Sequence, residues 1–188
     1  MNPPDFHDKP LDLEDAFFVR ENARLLEGMR RKADEKARRQ QLSDVVRVKD
    51  EAFLDRLMAL GITPATVLAL QLIPLLFVAW ADGRLDEKER EAVLRAARGR
   101  EGTAEEATIR LIGDWLAHEP EPRLLELWKE YVRQIWGKFT RDEQWRMREN
   151  VLKSAREVAE ASGGFLRLTA RTSAEERKVI EEFERLLA

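Results

Sequence analysis

The chain has 188 residues, 44% apolar and 37% charged, with a net charge of −3 and no cysteine. The missing cysteine excludes disulfides, thiol catalysis and thiolate metal sites and fits a reducing, cytoplasmic setting, while a pI near 5.7 implies no bulk attraction to nucleic acid. The length fits one domain, or one domain with an extension.

Met1 to Pro10 is polar, holds three prolines and shows no secretory signal, so it reads as a disordered lead-in. Leu11 to Leu42 then has no proline and a single glycine, and the spacing predicts one long helix. Its apolar positions are Phe18, Leu25, Leu26 and Met29, followed only by Ala33 and Ala37, so the packing face thins along the helix. Arg20 to Arg39 holds eight basic and four acidic residues. Such a helix is either a solvated rod laced by i,i+4 pairs such as Asp34–Arg38 and Glu35–Arg39, or an arm. An arm would use Arg30, Arg31, Arg38 and Arg39 to dock on an acidic protein partner or an anionic membrane surface. Ser43-Asp44 is expected to break the helix, which divides the chain into a lead-in plus basic arm over 1–43 and a helical domain over 44–188. A second helix is predicted over Val45–Leu60, with Val46, Phe53, Leu57 and Leu60 on one side.

Leu57 to Ala81 passes twenty-five residues without a charge. That length requires a test against a membrane span. Gly61 interrupts it at a helix C′ position, and Thr63-Pro64 has the form of an N-cap with proline at the first helical position. The run therefore reads as the end of one helix and a central buried helix over Pro64–Ala81, with Pro74 removing one backbone hydrogen bond and kinking it.

An acidic turn, Asp82-Gly83-Arg84-Leu85-Asp86-Glu87-Lys88-Glu89, opens the next helix, whose inward positions are Val93, Ala96 and Ala97 and which Gly99 and Gly102 close. Thr103–Glu106, Thr140–Glu143 and Ser173–Glu176 each have the form of a capping box. Between them run helical stripes at Leu111, Ile112, Trp115 and Leu116; at Leu124, Leu127, Trp128, Tyr131 and Ile135; at Met147, Val151, Ala155, Val158 and Ala159; and at Val179, Ile180, Phe183 and Leu187. No period-two alternation competes with these, so the fold class is all-α: a compact multi-helix domain preceded by a helical arm.

Val78-Ala79-Trp80-Ala81-Asp82-Gly83-Arg84-Leu85-Asp86-Glu87-Lys88-Glu89 resembles the signature of the TerB-like family of tellurite-resistance proteins. There a helix ends in Ala-Asp-Gly, a short apolar step follows, and a cap comes next with Glu three residues on. The resemblance covers about Asp44 to Ala188 and implies two related halves. The second is carried by Ala159-Glu160-Ala161-Ser162-Gly163-Gly164 and Ser173-Ala174-Glu175-Glu176-Arg177, where Ser162 stands in place of the family's Asp. It also implies a stress-associated role, divalent-metal binding through acidic residues, and work near the inner face of the membrane with other Ter proteins.

Candidate metal ligands are Asp82, Asp86 and Glu89, because calcium or magnesium wants several carboxylate and carbonyl oxygens converging on a tight turn. The same residues also read as a turn dipeptide and a capping box. The five tryptophans, Trp80, Trp115, Trp128, Trp136 and Trp145, read as core. Phe165, Leu166 and Leu168, set beside Arg167 and Arg171 between helices, are either a loop folded over the core or a contact surface. His118 precedes Glu119-Pro120 at a helix end, and no nucleophile elbow or phosphate loop is present. The sequence thus points away from an enzyme. It points to a stress-associated binding or scaffold module with a possible divalent cation, or else to a membrane-surface adaptor using the arm and the apolar loop.

Overall fold

The computed structural model describes residues 13–98, 106–161 and 173–188, leaving aside the side chains of residues 13–16. The described residues form eight helices: α1 (Leu13–Val46), α2 (Glu51–Ala59), α3 (Ala69–Ala79), α4 (Glu87–Arg98), α5 (Glu106–Trp115), α6 (Pro122–Trp136), α7 (Arg141–Ala161) and α8 (Ala174–Leu186). No strand occurs among them, which is the all-α class that the periodicity predicts.

The apolar stretch sits at the centre. Ala69, Leu70, Ile73, Pro74, Leu75, Leu76, Val78 and Ala79 are all buried in α3, and α4, α5, α6, α7 and α8 each pack against it. Its lack of charged residues follows from being covered on most sides. Among the described residues no helix is long and apolar enough to cross a membrane. Opposite α3, Trp128 of α6 meets Phe183 of α8 edge to face at 5.4 Å between ring centroids, a favoured aromatic geometry. The expected stripes on α5 to α8 point inward, with Val132 and Leu152 added to them.

Two boundaries and one burial differ from the sequence expectation. First, α1 does not stop at Ser43-Asp44 but runs through it to Val46. Ser43 sends its hydroxyl to the Val48 carbonyl at 2.6 Å, and the chain turns at Arg47, whose φ is +58°. Asp50 then caps α2 by accepting from Phe53 N–H at 3.0 Å. The 43/44 division therefore falls inside a helix, and Leu42 and Val46 belong to the core.

Second, the central helix begins at Ala69 rather than Pro64. Residues 64–68 form turns, in which Thr66 N–H bonds the Thr63 carbonyl at 3.0 Å and Ala69 N–H bonds the Thr66 carbonyl at 2.9 Å. The buried Thr66 hydroxyl donates to the Gly61 carbonyl at 2.7 Å and accepts from Thr63 N–H at 2.8 Å. That local network competes with the first helical turn. Gly61 itself holds φ +81°, as a helix C′ glycine should. Third, Trp145 lies on the solvent side of α7, 64% exposed, and is not core. The breaks expected at Gly99 and Gly102 and the Thr103 cap lie outside the described residues.

Candidate functional site

The acidic turn is built by the end of α3. Trp80 N–H closes on the Leu76 carbonyl at 3.1 Å and Gly83 N–H on the Trp80 carbonyl at 2.9 Å. Gly83 takes φ +78°, a conformation that costs glycine little. Asp82 Oδ1 accepts from Arg84 N–H at 3.0 Å, so Asp82 folds back on its own turn. Leu85 packs against the core. Asp86 and Glu89 then form a reciprocal capping box: Glu89 N–H donates to Asp86 Oδ1 at 2.8 Å, and Asp86 N–H donates to Glu89 Oε2 at 2.9 Å.

These bonds give all three residues the turn and capping roles that their spacing suggests. Each of the three carboxylates accepts a backbone N–H, and among the described residues no group of three or more His, Cys, Asp or Glu side chains is placed to hold a metal ion. The residues present do not fit a calcium or magnesium site, which needs more oxygens converging on one point. Asp82→Asn and Asp86→Ser are accordingly expected to melt within about 1 kcal/mol of the wild type, since both replacements keep turn and cap chemistry. Millimolar calcium should leave the wild-type melting temperature unchanged. A calcium-dependent rise that either variant abolishes would restore the metal reading.

Glu89 is the unusual member. Its side chain is buried, the residue being 5% exposed. Burial pushes its carboxyl up to about 7; the N–H of Asp86 opposes that shift, while the charges of Asp86, Glu176 and Asp82 add to it. Glu176 is the corresponding residue at the start of α8. It closes a capping box with Ser173, is 3% exposed, and its Oε1 is buried with no hydrogen-bond partner. Two capping boxes thus each turn their third-position glutamate inward, close enough for one charge to act on the other. The capping pattern of Ser173–Glu176 is visible in the sequence. Its burial is not, because that depends on how α8 docks over α3.

The basic arm divides into two parts. Arg39 is anchored, with its guanidinium on Asp55 of α2 at 2.6 and 2.7 Å; Glu35, the expected partner, acts on it through its charge without a direct ion pair. The Asp34–Arg38 pair is absent as well, and Arg30, Arg31 and Arg38 are exposed. At the far end of this segment Arg47 meets Glu143 at 3.2 Å, and Lys138 donates to the Arg47 carbonyl at 2.7 Å. These contacts fix the C-terminal end of α1 to the body.

The N-terminal half of α1 carries the largest exposed apolar group among the described residues. Phe17, Phe18, Val19, Leu25, Leu26 and Met29 are each more than half exposed, Met29 reaching 68%. At 100° per residue, the line through Leu42 and Val46 that docks α1 on the body lies about 100° around the helix from the line through Phe18, Leu25 and Met29. The apolar stripe is therefore not a continuation of the docking face. Phe18, Leu25, Leu26 and Met29 read in the sequence as a thinning packing face, while Phe17 and Val19 are not part of that pattern; their exposure emerges only once α1 is seen to leave the body. Phe165, Leu166 and Leu168 lie outside the described residues.

A groove of about 1050 Å³ runs between α3, α4 and α7, with Leu72 and Leu75 in its floor and Arg95 and Glu157 on its rim. The acidic turn does not line it.

Comparison with protein-family models, with curated proteins and with solved structures found no match for this chain.

Proposed function

We propose that the protein is a non-enzymatic binding or scaffold module in which the compact body of α2 to α8 carries α1 as its docking element. One observation supports this above the others: six large apolar side chains stand exposed on a helix that is anchored at its opposite end. Exposed apolar groups gathered on one element mark interaction surfaces. The resemblance of Val78–Glu89 to the TerB-like signature supports a stress-associated role for the module. The metal part of that resemblance receives no support from the turn's geometry, so the proposal does not depend on a cation.

The triple variant Phe18→Gln, Leu25→Gln, Met29→Gln tests the reading. A stripe kept for a partner can be removed at little expense to folding, within about 0.5 kcal/mol per site, because glutamine is a good helix former. Melting should stay within a few degrees of the wild type, about 2–4 °C per kcal/mol for a chain of this size. A fall of about 10 °C would mean that the stripe packs inside the fold. The stress role has its own readout: cells expressing the wild type should grow on tellurite better than cells expressing the triple variant.

A further inference from the structure

A second cavity, of about 320 Å³, continues the groove between α3, α4 and α7, since Gln71, Asn150 and Val151 line both. Together the two follow one face of α7 from Glu143 to Ala161, about 27 Å of helix. The pattern along this face is apolar, amide, apolar. Ile135 and Met147 lie at one end, Leu72, Leu75 and Ala96 at the other, and Gln71 and Asn150 stand between them. Both amide side chains are exposed, and among the described residues neither carries a hydrogen bond. Gln71 is also the one polar residue of α3.

The exposed stripe of α1 repeats that pattern. Seen down the helix at 100° per residue, Phe18, Asn22, Leu25 and Met29 fall within about 60° of arc. Asn22 is exposed among them. The stripe from Phe18 to Met29 is about 16 Å long, short enough for the groove. The groove of its own chain is out of reach. α1 packs chiefly on α2, and the stripe begins about 25 Å along the helix from Val46, which lines the near end of the groove. A straight helix cannot turn the stripe back, so a groove filled by it belongs to another molecule.

We propose that the stripe of α1 docks in the groove of a second copy of the chain, parallel to α7, with Asn22 against Gln71 and Asn150. Amide then meets amide where each surface interrupts its apolar run, so neither leaves a polar group unpaired on docking. Charge sets the direction. In this register Phe18 lies near Met147, and Arg30, on the border of the stripe beyond Leu26, comes level with Glu157. Glu157 and Glu160 are exposed and, among the described residues, in no ion pair. The reverse direction would bring Arg30 toward Arg141 and Arg146 instead. The contact is head-to-tail, the stripe of one copy in the groove of the next. This rests on the reading of α1 as the docking element and names its partner.

Analytical ultracentrifugation of the full chain tests it. The wild type should associate reversibly as its concentration rises. Leu25→Gln/Met29→Gln removes the stripe and keeps the groove; Leu72→Asp spoils the groove and keeps the stripe. Each variant alone should associate more weakly by about tenfold or more. An equimolar mixture of the two should regain the wild-type affinity as a one-to-one complex, because one supplies the stripe and the other the groove. Ser154→Arg, which crowds the groove from α7, is a second groove variant. A wild type that stays monomeric up to about 1 mM overturns the proposal. So does a mixture that stays monomeric, or association that both groove variants leave intact. Melting keeps the two levels apart. If the wild type is monomeric and Leu25→Gln/Met29→Gln melts normally, the second copy is removed and α1 remains a docking element for another partner. A large loss of melting temperature in that variant puts the stripe inside the fold and removes the docking reading too.

Discussion

Replacing Leu76 by Asp is expected to leave the chain unfolded in buffer at room temperature. Leu76 is fully buried on α3, which every helix from α4 to α8 contacts. An uncompensated carboxylate there costs several kcal/mol, on top of the apolar contacts removed, against a total stability of about 5–15 kcal/mol. Leu72, four residues earlier, is only half-buried and lies at the groove between α3, α4 and α7. Leu72→Asp can turn its carboxylate to solvent there and should stay folded, with a smaller loss. Far-UV circular dichroism and a urea titration of both variants check the contrast. A Leu76→Asp protein with the wild-type urea midpoint would mean that α3 is not the centre of the core.

The second large effect is on pH dependence. Glu89 holds its proton up to about pH 7 in the folded chain, chiefly because it is buried, whereas an unfolded glutamate titrates near 4.3. The folded state therefore binds the extra proton. The stability this contributes is fully present below the unfolded value and is lost as pH rises toward and through about 7, at up to about 1.4 kcal/mol per pH unit. Glu89→Gln keeps the capping box, since glutamine also accepts from the backbone at this position, but has no charge to bury. The variant should match the wild type near pH 4.5 and exceed it by as much as about 3 kcal/mol at pH 8. Urea midpoints across that range read the difference. Parallel curves for the two proteins would show that Glu89 is not held in a dry site.

Both predictions rest on features that the sequence reveals unequally. The uncharged run from Leu57 to Ala81 makes a buried central helix legible, and the spacing of Leu124, Leu127, Trp128 and Ile135 makes the inward face of α6 legible, because burial leaves a periodic signature. What separates Leu72 from Leu76 leaves none: in a helix apolar all round, only the packed neighbours decide which side meets the groove. The break after α1 is displaced because a side-chain bond from Ser43 and the left-handed Arg47 fix the turn, not the Ser43-Asp44 pair itself. At the acidic turn the capping chemistry of Asp86 and Glu89 is written in the spacing, but the depth of Glu89 is not. Nor is its neighbour Glu176, which is brought close from 87 residues further along the chain. On α1 the residues of the stripe are plain in the sequence and their solvent exposure is not, since a packing face and a docking face have the same period.

The standing of α1 as a docking element is tested most directly at Met29. The chain has no cysteine, so Met29→Cys offers a single attachment point for a nitroxide spin label. In dilute solution, the label should give the mobile spectrum of an exposed helix site. A strongly immobilised spectrum in dilute protein would place the Phe18–Met29 face against the body of its own chain and contradict the assignment.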